Sequence, residues 1–299
     1  MIIDIHAHVF AFPKRHYGQP HNTFMSMEEQ IALMDAKGID QAVILPLANP
    51  ETPAELQSWG EVLYICERYP GRFIPFCNID PRIPRRPDLI TVDDFLEILN
   101  QCKALGFKGL GEVTARIPWD DPALDKLFAA CEQVGFPVIF HTITADVDSY
   151  GLIDDIGFPR FEKVLNKFPR LNFLGHSPGF WSEISGGLTL ADKNSYPQGP
   201  VRPGGRLPEL LRRYPNLNGD LSAGSGLNAL SRDPEHAFRF IEEFQDRLFL
   251  GLDYCSVRNN MRHIEWFKEH RDAGRISRQA YEKIMGQNAN QLLQLNLKG

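Results

Sequence analysis

Eight short apolar runs, each followed by a stretch of helical period, divide this chain from end to end, and that alternation limits its folds more than any other feature. The runs are IIDIH (2–6), QAVILP (41–46), RFIPFCNI (72–79), FKGLGEV (107–113), FPVIFHT (136–142), LNFLGH (171–176), NLNGDL (216–221) and LFLGLD (248–253). Short and largely apolar, they have the pattern of buried strands. Between them lie helical segments such as SMEEQIALMDAKG, in which Ser26 and Glu29 make a capping box and Gly38 closes the helix. TVDDFLEILNQCKALG, PALDKLFAACEQVG, FPRFEKVLNKFPR, LPELLRRYP and PEHAFRFIEEFQDR follow, several ending in Gly, Tyr-Pro or Phe-Pro stop signals.

Strict alternation implies parallel pairing through right-handed crossovers. Eight such units in 299 residues predict an α/β fold, a (β/α)8 TIM barrel that forms a single domain over 1–299. An open doubly wound sheet is the alternative, but it usually has fewer strands, and its nucleotide-binding forms carry G-x-G-x-x-G or a P-loop. Neither motif occurs here. Phe180 to Arg206, with five Gly and three Pro, is expected to be a long loop over the strand ends.

A formal charge of −6 with scattered Lys and Arg gives no basic stripe, so no nucleic-acid partner is expected. The five cysteines, Cys66, Cys77, Cys102, Cys131 and Cys255, are odd in number and form no C-x-x-C pair, which fits a reducing cytoplasm. The first run starts at Ile2 and no run of about eighteen apolar residues follows, so neither a signal peptide nor a membrane span is expected.

A barrel of this kind builds its site where strands end. The first run leads into DIHAHV, whose His6 and His8 share one face of a strand. Glu112 ends the fourth run, His141 the fifth, His176 the sixth and Asp253 the eighth. Taken singly, each has an ordinary structural explanation; Asp253 in GLDY, for instance, suits a helix N-cap. Four of nine histidines at the same end of three strands have the pattern of a convergent metal site, with three or four protein ligands and an open position.

DIHAHV at the start, FHT on the fifth strand, LGHSPG on the sixth, GLDY on the eighth and the ending IMGQNANQLLQL together resemble the amidohydrolase superfamily, within it the amidohydrolase 2 group. The resemblance implies that His6, His8 and His141 bind metal. It implies that Asp253 binds metal and takes a proton from water, and that His176 binds metal or orients that water. It implies a small-molecule substrate, a homo-oligomer of two or more chains, and hydrolysis of an amide, ester or lactone by metal-activated water. The alternative in the same group is non-oxidative decarboxylation of an aromatic or unsaturated acid. Zinc suits the histidine-rich set best, with manganese, iron or nickel as alternatives, and one or two ions per chain according to the role of Glu112.

Glu112 departs from the group's more usual pattern. As a ligand, a bridge between two ions or a hydrogen-bond partner of a ligand histidine, it favours hydrolysis, because added negative charge disfavours a substrate carboxylate beside the metal. Arg116 is a candidate for pairing a substrate carboxylate, Asp220 for a pocket residue, and Trp181, with Phe180 and Trp119, for an apolar pocket wall; loop, turn and packing roles compete for each. Specificity is expected in loops 10–25, 113–121, 143–156 and 180–206. GHSPG also matches a G-x-S-x-G nucleophile elbow, with Asp253 and His263 after it. Pro178, however, follows the serine and lacks the N–H that an oxyanion hole there requires. A barrel that only binds or scaffolds is the non-enzymatic reading, and metal content separates it from the others.

Overall fold

The protein is described by a computed structural model covering residues 1–13, 24–52, 56–83 and 88–297, so most of the expected specificity loop 10–25 lies outside the described residues. Eight parallel strands carry the architecture: β1 (Ile3–Ala7), β2 (Gln41–Ile44), β3 (Phe73–Pro75), β4 (Leu110–Val113), β5 (Val138–Ile143), β6 (Phe173–His176), β7 (Leu217–Asp220) and β8 (Leu248–Phe249). β1 pairs β2 and β2 pairs β3, while β4 through β8 pair in sequence. Cys77 bridges to Leu110, and Gly111 N donates to Cys77 O at 2.8 Å, joining β3 to β4. The sheet closes where Ile5 N donates to Leu250 O and Asp253 N to His6 O, both at 2.9 Å. The result is the (β/α)8 barrel.

Local sequence explains the helices around it. α1 (Met27–Lys37) has the expected Ser26–Glu29 capping box and ends at Gly38, whose φ of 70° suits a residue without a Cβ. α2 (Trp59–Arg68) starts at Ser58, α3 (Val92–Ala104) at Thr91 and α4 (Pro122–Val134) at Asp121, each cap accepting a first-turn N–H. α5 (Pro159–Lys167), α6 (Arg206–Arg213), α7 (Pro234–Phe244) and α8 (His263–Asp272) follow their strands.

Side-chain alternation divides the apolar residues into two layers. Val43, Leu45, Ile74, Phe76, Ile139, Leu174 and Phe249 cluster with Ile3 and Ile5 inside the barrel, beneath Ala289 and Leu293 from the chain's end. Their neighbours Ala42, Ile44, Val138, Phe140 and Phe173 pack outward against the helices. The β1–β2 register shifts between Asp4 and Ala7, so Ile3 and Ile5 join the interior layer and Ala7 the outer one.

The structure departs from sequence expectation mainly in the loops. The segment after β6 is not plain loop: it contains helical turns at Pro178–Trp181, Ser182–Ile184 and Leu190–Lys193. Short strands also form at Val9–Phe10 with Met25–Ser26, and at Leu152–Ile153 against β5. These two-residue strands are too short to show a period in the sequence. Among the described residues no helix is long and apolar enough to cross a membrane.

Candidate metal centre

The strand ends bring His6, His8, Glu112, His141, His176 and Asp253 into one cluster at the barrel mouth, buried except for the partly exposed Asp253. His6 Nε2 and His8 Nε2 are 3.2 Å apart. The Nδ1 of His6 donates to Asp220 Oδ2 at 2.6 Å, and that of His8 to Leu45 O at 2.9 Å. With each Nδ1 committed as a donor, two Nε2 lone pairs face one another, and they need a proton or a metal cation between them. His176 is held similarly, with Ser222 Oγ 2.6 Å from its Nδ1.

Glu112 stands in the middle of the histidines. Its Oε2 lies 3.7 Å from His6 Nε2 and 3.4 Å from His8 Nε2, while Oε1 lies 3.1 Å from His141 Nδ1 and 3.9 Å from His176 Nε2. Asp253 faces the same centre from β8, with Oδ1 3.5 Å from His8 Nε2 and Oδ2 3.7 Å from His176 Nε2. Its φ of 55° is a left-handed conformation that Asp tolerates better than most residues. Gly251 lies beneath, where a Cβ would collide with Asp220 Oδ1 and crowd Ser222.

The electrostatics show which charge the cluster requires. Burial opposes charge on His6, yet Asp220, Asp253 and Glu112 outweigh it and hold its pKa well above the usual histidine value. Burial also opposes ionisation of Glu112, but hydrogen bonds from His141, His6 and His8 hold its carboxyl well below the usual range. His176 is pushed down to about 4, by burial first and then by the neighbouring His6 charge. An ionised carboxylate and imidazoles with inward-facing nitrogens suit a divalent cation, which takes the place of the proton His6 otherwise carries.

The other sequence candidates are placed differently. Asp220 is buried and orients His6. Trp181 lies in an aromatic cluster with Phe180 and Phe240, 2% exposed, and donates its indole N–H to Asp220 O. Arg116 is exposed and donates to the carbonyls of Ala145 and Val147, at 2.9 and 3.0 Å. Trp119 is buried among Phe128, Phe140 and Phe161. Ser177 bonds Thr142 O and the Phe180 N–H, and His263 bonds Ala223 O, so the elbow's serine and histidine are engaged elsewhere.

Sequence reasoning missed three contacts. Ser222 supports His176, Cys255 Sγ donates to Asp253 Oδ1 at 3.2 Å, and the Tyr150 ring meets His141 at a centroid distance of 4.6 Å. Ser222 and Cys255 each lie two residues past a strand-end aspartate, Asp220 and Asp253, and Tyr150 lies in the expected specificity loop 143–156.

Comparison with known proteins bears on the fold and the family. An amidohydrolase from Burkholderia multivorans with bound zinc superposes at a TM-score of 0.62 and 13% identity, over 98% of this chain and 99% of its own. A protein from Acinetobacter baumannii described as a probable 2-pyrone-4,6-dicarboxylic acid hydrolase, with citric acid bound, gives 0.59 and 14%, over 98% and 99%. A variant of 5-carboxyvanillate decarboxylase from Novosphingobium aromaticivorans, with bound manganese, gives 0.58 and 18%, over 98% and 97%. At these identities the likeness is one of fold. No curated protein sequence matches the chain. The family model described as amidohydrolase matches residues 3–295, and the chain belongs to that family.

Proposed function

We propose that this amidohydrolase is a metal-dependent hydrolase that cleaves a small ester, lactone or amide at its carbonyl carbon, and that Glu112 would be shared between two divalent ions held by the surrounding histidines and Asp253. The observation that carries the reading is the orientation of Glu112. One of its oxygens faces the His6–His8 pair and the other faces His141 and His176. A carboxylate shared in this way suits a bridge between two cations.

His6, His8 and Asp253 would hold one ion, and His141 and His176 the other. Zinc fits this nitrogen-rich set best, and manganese, iron and nickel suit the same donors. When bound, such ions supply Lewis acidity and lower the pKa of water from about 15.7 to about 7. The chain's own residues do the rest. Asp220, Leu45 O and Ser222 hold the rings so that their inward nitrogens stay free. Asp253 takes the proton of the attacking water and returns it to the leaving group. Its side chain is 15% exposed, against 3% for Glu112 and 0% for Asp220, so it is the carboxylate that meets substrate.

Decarboxylation is the rival within the family. It requires a substrate carboxylate at the metal, beside an already ionised Glu112, and that repulsion favours hydrolysis. The test is a substrate panel with metal-loaded protein. Turnover of esters, lactones or amides without carbon dioxide release supports the proposal; carbon dioxide from hydroxybenzoates, with the carbonyl substrates left intact, overturns it. The apolar layers draw residues from Ile3 to Leu293, which supports reading the chain as one domain, and five free thiols support a reducing compartment.

A further inference from the structure

Tyr150 sits beside the centre on the loop after β5, and the proposed chemistry has not yet used it. Its ring packs edge-on against His141, and 37% of its surface stays open. The loop holding it is tied down at several points. Gly151 N donates to Thr114 O at 2.9 Å, Thr142 Oγ1 to Leu152 O at 2.8 Å, and Ile153 N to Ile117 O at 2.8 Å. Arg116 fixes the earlier half through Ala145 O and Val147 O. Gly151 has φ of 129°, and a Cβ there would come within 2.9 Å of His141 Cδ2, so glycine lets the backbone lie directly on the imidazole.

This loop holds a phenol in a defined place beside the site, and its hydroxyl makes no hydrogen bond to any described residue. A fixed, unspent O–H donor beside the cluster suits an oxygen on which negative charge develops.

We propose that Tyr150 is a catalytic residue whose hydroxyl donates a hydrogen bond to the oxygen of the carbonyl under attack. The assignment rests on the hydrolase reading. It also gives Arg116 a role, as the residue that holds the Tyr150 loop. A purely structural role would reside in the ring, which phenylalanine keeps; the catalytic role resides in the oxygen alone.

The experiment compares wild type with Tyr150→Phe, both metal-loaded. It measures metal content by elemental mass spectrometry, hydrolysis of 4-nitrophenyl acetate and γ-butyrolactone, and inhibition by monoethyl methylphosphonate, a stable tetrahedral mimic. The expected result is unchanged metal content, with kcat/KM lower by about 10²- to 10³-fold, mostly in kcat, as for loss of one oxyanion donor. Inhibition by the phosphonate weakens at least about tenfold in parallel. If the variant matches wild type in kcat/KM and inhibition, the Tyr150 assignment falls while the hydrolase reading stands. If the variant loses metal, Tyr150 supports His141 structurally and the assignment falls. If wild type itself neither hydrolyses the probes nor binds the phosphonate, the hydrolase reading fails and the assignment fails with it.

Discussion

Two buried ionic clusters in this protein solve the same problem in opposite ways. Under the loop after β6, Lys193 and Glu183 are almost wholly buried and meet at 2.6 Å. The ammonium lies 3.8 Å over the Phe158 ring, and Glu183 also accepts the Gly157 N–H at 2.7 Å. That cluster balances its own charge. At the barrel mouth the only cationic partners of Glu112, Asp220 and Asp253 among the described residues are histidines. Those histidines can give up their inward protons to a metal, whereas a lysine in the same place would keep its charge and repel it. The protein compensates buried charge internally where it needs a fixed loop and leaves the demand for positive charge open where it binds ions.

The contrast is sharpened by substitutions at each cluster. His6→Ala has the largest expected effect: it removes an imidazole from the centre and leaves Asp220 without its partner, so bound metal drops and turnover falls to background, measured by elemental analysis and assay. Asp253→Asn keeps the shape but removes the proton acceptor. Turnover falls by about 10²- to 10⁴-fold while metal content changes little. Asp220→Asn acts through His6 and through Ser222, whose N–H Asp220 Oδ1 accepts at 3.0 Å, and lowers metal affinity by about 10- to 100-fold, read by chelator competition.

The balanced cluster responds in stability instead. Lys193→Met strands a buried Glu183 and costs about 3–5 kcal/mol in denaturant unfolding, whereas Lys193→Met with Glu183→Leu recovers most of the loss. Metal content stays unchanged in both. The smallest effect is at the half-exposed Arg82, which donates to Asp80 and Glu51 and holds both carboxyls below their usual values against the opposing pull of burial. A depressed folded pKa contributes stability above the unfolded value, and that stability is lost as pH falls through it. Arg82→Met therefore lowers Tm slightly at about pH 7, and the gap closes toward about pH 3.

The six residues at the mouth were legible because the fold brings together groups that the sequence places at strand ends. His6, Glu112, His141 and His176 each end or nearly end an apolar run, and a closed parallel barrel leaves those ends facing one another. What holds them was not legible. Ser222 and Cys255 act from irregular backbone just past their strands, and the partner of His8 is a main-chain carbonyl, which no sequence pattern marks. Trp181 shows another limit, since an aromatic in a glycine-rich stretch suits a pocket wall and a core equally well. Glycines within two neighbouring strands decide between them: a Cβ at Gly175 would collide with the Phe180 ring, and one at Gly219 would lie 2.8 Å from Trp181. FLGH and LNGD thus leave room for aromatic packing just before each strand's functional residue.

The most direct test of the central claim is the metal content of the purified, metal-loaded protein, compared with that of Glu112→Gln by elemental mass spectrometry. About two divalent ions per chain are expected in wild type and about one in the variant. One ion in both proteins would contradict the bridging role of Glu112 and remove the main support for hydrolysis over decarboxylation.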